Sequence, residues 1–191
     1  MAEVLSCRLA EADEGLVVQA CALTEGQWPS DPPLDPVEKA RGRVAEARAY
    51  TGDPERAAMM HFVVEGDRVL AAARTFARTI DTTAGGMTIM ALGGVIVEET
   101  RRGNGYGRDV VRAAFERVDR GVFGFSLFQT GTHNRGFYAK LGAMYPGNRV
   151  INSLDERGPE SPAFNVDELV VVYPEREGWP AGTIDLLGPG Y

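Results

Sequence analysis

An apolar segment, a glycine-rich turn and an amphipathic segment follow one another in the middle of this sequence. Met87–Val97 is almost continuously apolar, which is typical of a central strand covered on both faces. The turn Arg102–Gly107 reads Arg-Gly-Asn-Gly-Tyr-Gly and fits the pattern Arg-x-x-Gly-x-Gly. Beyond it, one stripe at helical spacing carries Val110, Val111, Ala114, Phe115 and Val118. The sequence therefore predicts a buried strand, a tight turn and a helix in succession.

The turn has the composition of an anion site. Glycines let the backbone come close to a bulky anion, and the first N–H groups of the helix would point at that anion. The helix dipole adds about half a positive charge at the same end. A pyrophosphate would fit these properties, although a glycine-rich turn before a helix is often only a turn. A dinucleotide-binding reading fails, because the turn is not Gly-x-Gly-x-x-Gly in an N-terminal βαβ unit.

The other elements predicted from the pattern alternate between strands and helices. A proline-rich loop, Gln27–Pro36, ends in a helix start with Asp35 as cap, Pro36 at the first position and Glu38 at the third. The glycine- and proline-rich residues 174–191 read as an extended tail. Further strands are predicted at residues 3–9, 59–64, 68–79, 123–128, 143–151 and 166–173, a turn at 81–86, and helices at 11–25, 36–50 and 134–141.

Composition indicates one globular domain spanning residues 1–191. The length fits a single core, and 44% hydrophobic with 25% charged residues is close to the globular average. The formal charge of −7 includes no basic stripe, which argues against binding to nucleic acid; an acidic field favours a cationic ligand but also serves solubility. Cys7 and Cys21 form neither a disulfide framework nor a zinc spacing. With neither a signal peptide nor a membrane span evident, we expect a cytoplasmic location.

A second motif, downstream of the turn, gives the sequence a resemblance to a known superfamily. Residues 136–143 read Gly-Phe-Tyr-Ala-Lys-Leu-Gly-Ala, and residues 92–97 read Leu-Gly-Gly-Val-Ile-Val. Together with the glycine turn, these segments resemble the signature motifs of the GNAT superfamily of N-acetyltransferases, over roughly Met87 to Tyr145. The resemblance implies an α+β fold, in which a mixed, mostly antiparallel twisted sheet of about seven strands is flanked by about four helices.

The resemblance also implies acetyl-CoA as co-substrate, with no metal. Acetyl-CoA would lie where strand 87–97 splays from strand 123–128. Its pantetheine arm would pair with the backbone of Val95, Ile96 and Val97. Its pyrophosphate would contact the turn formed by Arg102, Gly103, Asn104, Gly105, Tyr106 and Gly107.

Tyr138 matches the tyrosine that GNAT enzymes commonly use to protonate the departing thiolate, although it could instead only pack the helix against the sheet. Many relatives place a basic glutamate on the central strand, where this chain has Ala-Leu-Gly-Gly at residues 91–94. Another departure is Gly131, where the family usually has an asparagine that contacts pantetheine. Candidates left for the base are Asp81, Asp185, His133 and the terminal carboxylate of Tyr191, whereas Glu98 and Glu99 read as solvated and His61 as structural.

The C-terminal half also resembles the nodulation N-acyltransferases and the aminoglycoside 2′-N-acetyltransferases, which both act on amino-sugar amines. On this resemblance, Trp28, Asp185 and Tyr191 are candidate acceptor-binding residues, unless the tail is merely pinned to the core. The expected function is acetyl transfer to the primary amine of a small molecule, such as an amino sugar or aminoglycoside. A longer-chain N-acyltransferase and a non-catalytic acyl-CoA-binding protein stay open. The expected partner is the small-molecule amine, and we expect neither nucleic acid nor membrane to bind. The sequence leaves open whether the chain forms a homodimer.

Overall fold

The computed structural model describes residues 1–191 and divides into two compact units. The first comprises Met1–Phe76 and Gly93–Glu116, and the second Ala77–Leu92 and Arg117–Tyr191. The strands are β1 (Glu3–Arg8), β2 (Met59–Glu65), β3 (Arg68–Thr82), β4 (Met87–Val97), β5 (Ser126–Thr130), β6 (Val150–Ile151), β7 (Leu169–Tyr173) and β8 (Ile184–Asp185). The α-helices are α1 (Glu14–Gln27), α2 (Pro36–Ala49), α3 (Tyr106–Asp119) and α4 (Arg135–Ala139).

The strands form a mixed, mostly antiparallel sheet, as predicted. Their hydrogen-bonded order is β1-β2-β3-β4-β5-β7, and β8 joins β3 to β6. Strand β5 pairs antiparallel with β7 over five residues, but parallel with β4 at only two positions, Met90–Ser126 and Ala91–Leu127. Both strands of that parallel pair continue past this short ladder, β4 to Val97 and β5 to Thr130.

The core of the first unit lies between α1, α2 and one face of its strands. Both helices begin as their sequences dictate: the Asp13 carboxylate caps α1 through the Leu16 amide, and Asp35 caps α2 through the amides of Val37 and Glu38. The residues that share this core are Leu9, Val17, Ala20, Cys21, Ala40, Met60, Phe62, Val64, Val69, Ala72 and Ile96.

The Gln27–Pro36 loop between α1 and α2 is fixed by one carboxylate. Glu25 accepts hydrogen bonds from the Ser30 amide (2.7 Å), the Ser30 hydroxyl (3.0 Å) and the Leu34 amide (3.2 Å). It also pairs with Lys39 at 2.6 Å. Led by the bond from Lys39, these interactions lower the pKa of Glu25 to about 2. Both ends of the loop are therefore attached to one side chain of α1.

In the second unit, the prediction of an extended tail was wrong. Ile184 and Leu186 are fully buried, and β8 pairs with β3 and β6. Arg78 donates two hydrogen bonds to the Leu186 carbonyl at 2.9 and 3.0 Å. Glycine and proline content describes the local backbone correctly, but it does not reveal that Ile184 pairs with distant strands or that Leu186 is buried beside it.

Three strand predictions need correction in this unit. The strand predicted at 166–173 begins only at Leu169. Strand β5 begins at Ser126 rather than at residue 123. Phe123 and Phe125 are buried, and the Phe125 carbonyl accepts a 2.9 Å hydrogen bond from the Met90 amide of β4, but neither residue is part of the strand. The predicted strand at 143–151 is reduced to β6 and to one isolated bridge between Met144 and Val172. Apolar content signalled burial at these positions, whereas strand pairing depends on partners elsewhere in the chain.

Candidate active site

The glycine turn leads into α3 in the geometry of a helix N-terminal anion site. Gly103 and Gly105 adopt φ values of +85° and +86°, a left-handed conformation that other residues rarely adopt. The bond from the Asp109 amide to the Gly105 carbonyl, 3.1 Å long, opens the hydrogen-bond ladder of the helix. The amides just before Asp109 precede this ladder, as the first N–H groups of any helix do. They are the groups that a pyrophosphate would accept hydrogen bonds from.

Positive charge surrounds the turn. Arg102 is exposed and donates a 2.7 Å hydrogen bond to the neutral Gln27 side chain, so its charge is not neutralised by a carboxylate. The Arg108 guanidinium lies over Gly105, 3.1 Å from where a Cβ would stand there, and pairs with Asp109 at 3.0 Å. Asn104 donates to the Arg101 carbonyl at 2.9 Å and so stabilises the turn itself. No sequence pattern indicated that Gln27, at the end of α1, would bind Arg102.

The predicted pantetheine strand starts at a bulge. Gly94 lies within β4 with φ +61°, and a Cβ built on it would meet the Thr24 methyl at 3.5 Å. A positive-φ glycine inside a strand is typical of a bulge that redirects the backbone. Beyond it, Ile96 is buried in the core of the first unit, while Val95 and Val97 are half-buried. The main chain of this segment is therefore the part that a ligand could use.

Tyr138 is buried in the second unit and bonded through its hydroxyl. Its ring makes edge contacts with Phe128 and Phe137, each with 4.9 Å between centroids. Its hydroxyl shares a hydrogen bond with the Thr130 side chain. The Thr130 hydroxyl in turn accepts a 3.1 Å hydrogen bond from the side-chain amide of Asn134. Burial, opposed by the Thr130 bond and assisted by Tyr145, raises the pKa of Tyr138 well above its usual range. The phenol is therefore a neutral donor at physiological pH, oriented by two residues that the motif did not identify.

The candidate bases are poorly suited to that role. Burial acts to raise the pKa of Asp185, but hydrogen bonds from Ser153 and Leu187 and the charge of Arg78 outweigh it, so the pKa is lowered. Its partner across the β3–β8 ladder, Asp81, is exposed. No carboxylate occupies β4 between Met87 and Val97. A lowered pKa weakens a carboxylate as a base near neutral pH.

The two histidines have structural surroundings. His61 is buried and bonds to Ser6 at 2.9 Å and to Thr75 at 3.1 Å, in agreement with the predicted structural role. His133 is exposed, and its ring lies against Gly131, where a Cβ would come within 2.7 Å of it. A Cβ at Gly131 would therefore require the exposed His133 ring to move.

The candidate acceptor residues fall in different surroundings. Trp28 is 54% exposed, next to the Gln27 that binds the glycine turn. In the second unit, Arg78 lies over the Tyr191 ring, 5.4 Å from its centroid, and its charge reaches Asp185. The Tyr191 hydroxyl donates to the Leu127 carbonyl at 2.6 Å. In the same tail, the Trp179 indole N–H donates a 2.8 Å hydrogen bond to the side-chain oxygen of Asn148. The aromatic tail is thus held by its polar groups.

Three further properties concern the whole chain. No group of three or more His, Cys, Asp and Glu side chains is placed to hold a metal ion. None of the helices has the length and apolar character that crossing a bilayer requires. Cys7 and Cys21 are both free thiols.

Comparisons with known proteins identify the fold. An acyl-CoA N-acyltransferase from Pseudomonas aeruginosa matches 90% of this chain and 99% of its own, with a TM-score of 0.58 at 12% identity. A glucosamine-6-phosphate N-acetyltransferase from Arabidopsis thaliana matches 74% of this chain and 90% of its own, with a TM-score of 0.56 at 15% identity. A putative acetyltransferase from Agrobacterium tumefaciens is 26% identical over 71% of this chain and 87% of its own, with a TM-score of 0.52.

No protein-family model matches the chain, and no curated protein does. The structural matches, together with the mixed sheet and four helices, show that the chain has the GNAT fold. The resemblance predicted from the motifs is confirmed at this level.

Proposed function

We propose that this protein transfers an acetyl group from acetyl-CoA to the primary amine of a small molecule. The observation that carries the proposal is the turn before α3, where two positive-φ glycines and an arginine without a carboxylate partner precede the first bonded turn of a helix. A pyrophosphate is the group that this combination of free amides and positive charge favours. The fold matches to acyltransferases support the same reading.

Acetyl-CoA would contribute the activated thioester, and the chain would contribute binding and proton transfer. The turn at 102–107 would hold the pyrophosphate, and the backbone of Val95–Val97 would pair with the pantetheine arm. The amine nitrogen attacks the carbonyl carbon, and the carbon–sulfur bond breaks. Tyr138 would donate its proton to the departing thiolate, with Thr130 bonded to the resulting phenolate, and would afterwards regain a proton from solvent. The proton of the amine would leave to water, because no carboxylate lies on β4.

An amino sugar is the acceptor class that the sequence resemblance favours. The matched Arabidopsis enzyme is by its name an acetyltransferase of a phosphorylated amino sugar, which supports this class without deciding it. We also propose a reducing, cytoplasmic setting, which suits two free thiols of which Cys21 is buried.

A binding assay and an activity assay together test the function. Isothermal titration with acetyl-CoA should give saturable binding, and incubation with acetyl-CoA and a panel of amines should release free thiol. Binding without thiol release from any amine would favour the non-catalytic acyl-CoA-binding alternative, which the missing strand carboxylate supports. Release with longer acyl-CoAs in preference to acetyl-CoA would favour the N-acyltransferase alternative. Absence of both binding and release would refute the proposal.

A further inference from the structure

Two arginines in the first unit have no carboxylate within ion-pair distance. Arg43 comes from α2 and Arg74 from β3, and both are half-buried. Arg43 donates to the Cys21 sulfur at 3.4 Å, and the Arg74 guanidinium lies 4.5 Å from the centroid of the Phe76 ring. No carboxylate comes within 4.0 Å of either guanidinium, unlike Arg41 on the same helix, which pairs with Glu14 at 3.4 Å.

Such a pair is unfavourable without an anion. Burial first, and the charge of Arg43 second, lower the pKa of Arg74 to about 10, while Glu46 acts in the opposite direction. Glu46 is exposed and forms no ion pair with either arginine. Arg74 is therefore a partly buried cation on which a like charge acts and to which no carboxylate is paired. A bound oxyanion would relieve this repulsion and accept bidentate hydrogen bonds from guanidinium groups.

The position of the pair relates it to β4. Cys21, which contacts Arg43, accepts through its carbonyl a 2.9 Å hydrogen bond from the Thr24 hydroxyl. The Thr24 methyl in turn stands 3.5 Å from where a Cβ would be on Gly94. Contacts within the first unit thus lead from Arg43, through α1, to Gly94, which precedes Val95–Val97, the strand proposed to bind pantetheine.

We propose that Arg43 and Arg74 form an oxyanion site that binds a carboxylate or phosphate carried by the acceptor amine. This inference rests on the proposed function, and it makes the substrate class an anionic amine, such as an amino acid, an aminoalkyl phosphate or a phosphorylated amino sugar. The cationic acceptor that the net charge of −7 favoured would be repelled at this position.

The first test compares amines that differ only in the anion. Matched pairs are an amino acid with its amide, and an aminoalkyl phosphate with the corresponding amino alcohol. The anionic member should have at least about tenfold higher kcat/KM, because hydrogen bonds to a charged group are lost in its neutral counterpart. Arg43→Gln and Arg74→Gln should each remove most of that preference, while Arg41→Gln, an exposed control on α2, should keep it. A neutral preference in the parent protein, or a preference retained in both variants, would overturn the inference.

The second test needs no turnover, so it separates failure of the site from failure of the proposed function. Inorganic phosphate, added at constant ionic strength against chloride, should raise the melting temperature of the parent protein and of Arg41→Gln. The rise should be absent in Arg43→Gln. Arg74→Lys, which keeps the positive charge and serves in case Arg74→Gln does not fold, should show a smaller rise than the parent protein. Equal phosphate stabilisation of all variants would refute the site, even if acetylation is observed. Stabilisation lost only in the two site variants, without acetylation of any amine, would support the site and refute the proposed function.

Discussion

Replacement of Tyr138 by phenylalanine separates a catalytic hydroxyl from a structural one. The variant keeps the ring and its edge contacts with Phe128 and Phe137 and removes only the bond shared with Thr130. Such a bond contributes about 1 kcal/mol, and Thr130 still accepts from Asn134. In a protein of this size, about 1 kcal/mol lowers the melting temperature by roughly 2–4 °C. Loss of general-acid assistance should instead reduce kcat by about 10²–10⁴-fold, with acetyl-CoA affinity little changed.

The assay measures kcat by thiol release, acetyl-CoA affinity by titration and melting temperature by calorimetry, all on the same preparations. Tyr145→Phe is the matched control, since it removes a hydroxyl that donates to the Arg135 carbonyl at 2.6 Å in the same unit. The control should lose a similar amount of stability and keep kcat within a few-fold. A Tyr138→Phe variant with the expected small loss of stability and an unchanged kcat would show that Tyr138 only packs and that another group protonates the thiolate.

Three other predictions follow from the same structure. Gly105→Val should weaken acetyl-CoA binding in titration, because the valine adds strain of about 1–3 kcal/mol at φ +86° and blocks the approach of the pyrophosphate to the backbone. Gly121→Val, at φ +79° outside the turn, should cost similar stability and leave the acetyl-CoA affinity unchanged. If Gly105→Val binds acetyl-CoA as tightly as Gly121→Val does, the turn is not part of the site. The rate of acetylation should rise from pH 6 to 9 as the acceptor amine loses its proton, since the raised pKa of Tyr138 keeps it protonated throughout; a flat profile with an amine of pKa near 9 would indicate an efficient base. The fold lowers the pKa of Glu25 from 4.5 to about 2, so the stabilising contribution of this carboxylate should be lost as pH falls from about 4.5 toward 2. The melting temperature of Glu25→Gln should therefore drop less than that of the parent protein over this window. Parallel curves of melting temperature against pH for the two proteins would contradict this reasoning.

Local patterns were sufficient where local chemistry decides the structure. Strand β4 has the predicted bounds, because its apolar run is covered on both faces. The α2 cap forms from Asp35 as predicted. By contrast, β8 could not be predicted, since Ile184 pairs with residues about a hundred and about thirty positions earlier.

The candidate site shows the same division. The glycine turn was readable because its backbone conformation depends on its own residues. The Thr130–Asn134 support of Tyr138 and the unpaired Arg43 and Arg74 were not readable. In these cases the decisive property is the presence or absence of a partner from another element, which only the tertiary structure supplies.

The attachment of the loop between α1 and α2 to Glu25 has a consequence for hydrogen exchange. The amides of Ser30 and Leu34 both donate to one carboxylate oxygen, Oε1 of Glu25. They have this shared acceptor in place of a backbone ladder, so both lose protection when that carboxylate swings away. We expect their deuterium uptake to rise together with a common opening rate. Each opening would also free the Lys39 side chain from Glu25, whereas the first turn of α2 keeps its Asp35 cap, so a single rotation of one side chain would release the loop alone as one kinetic unit.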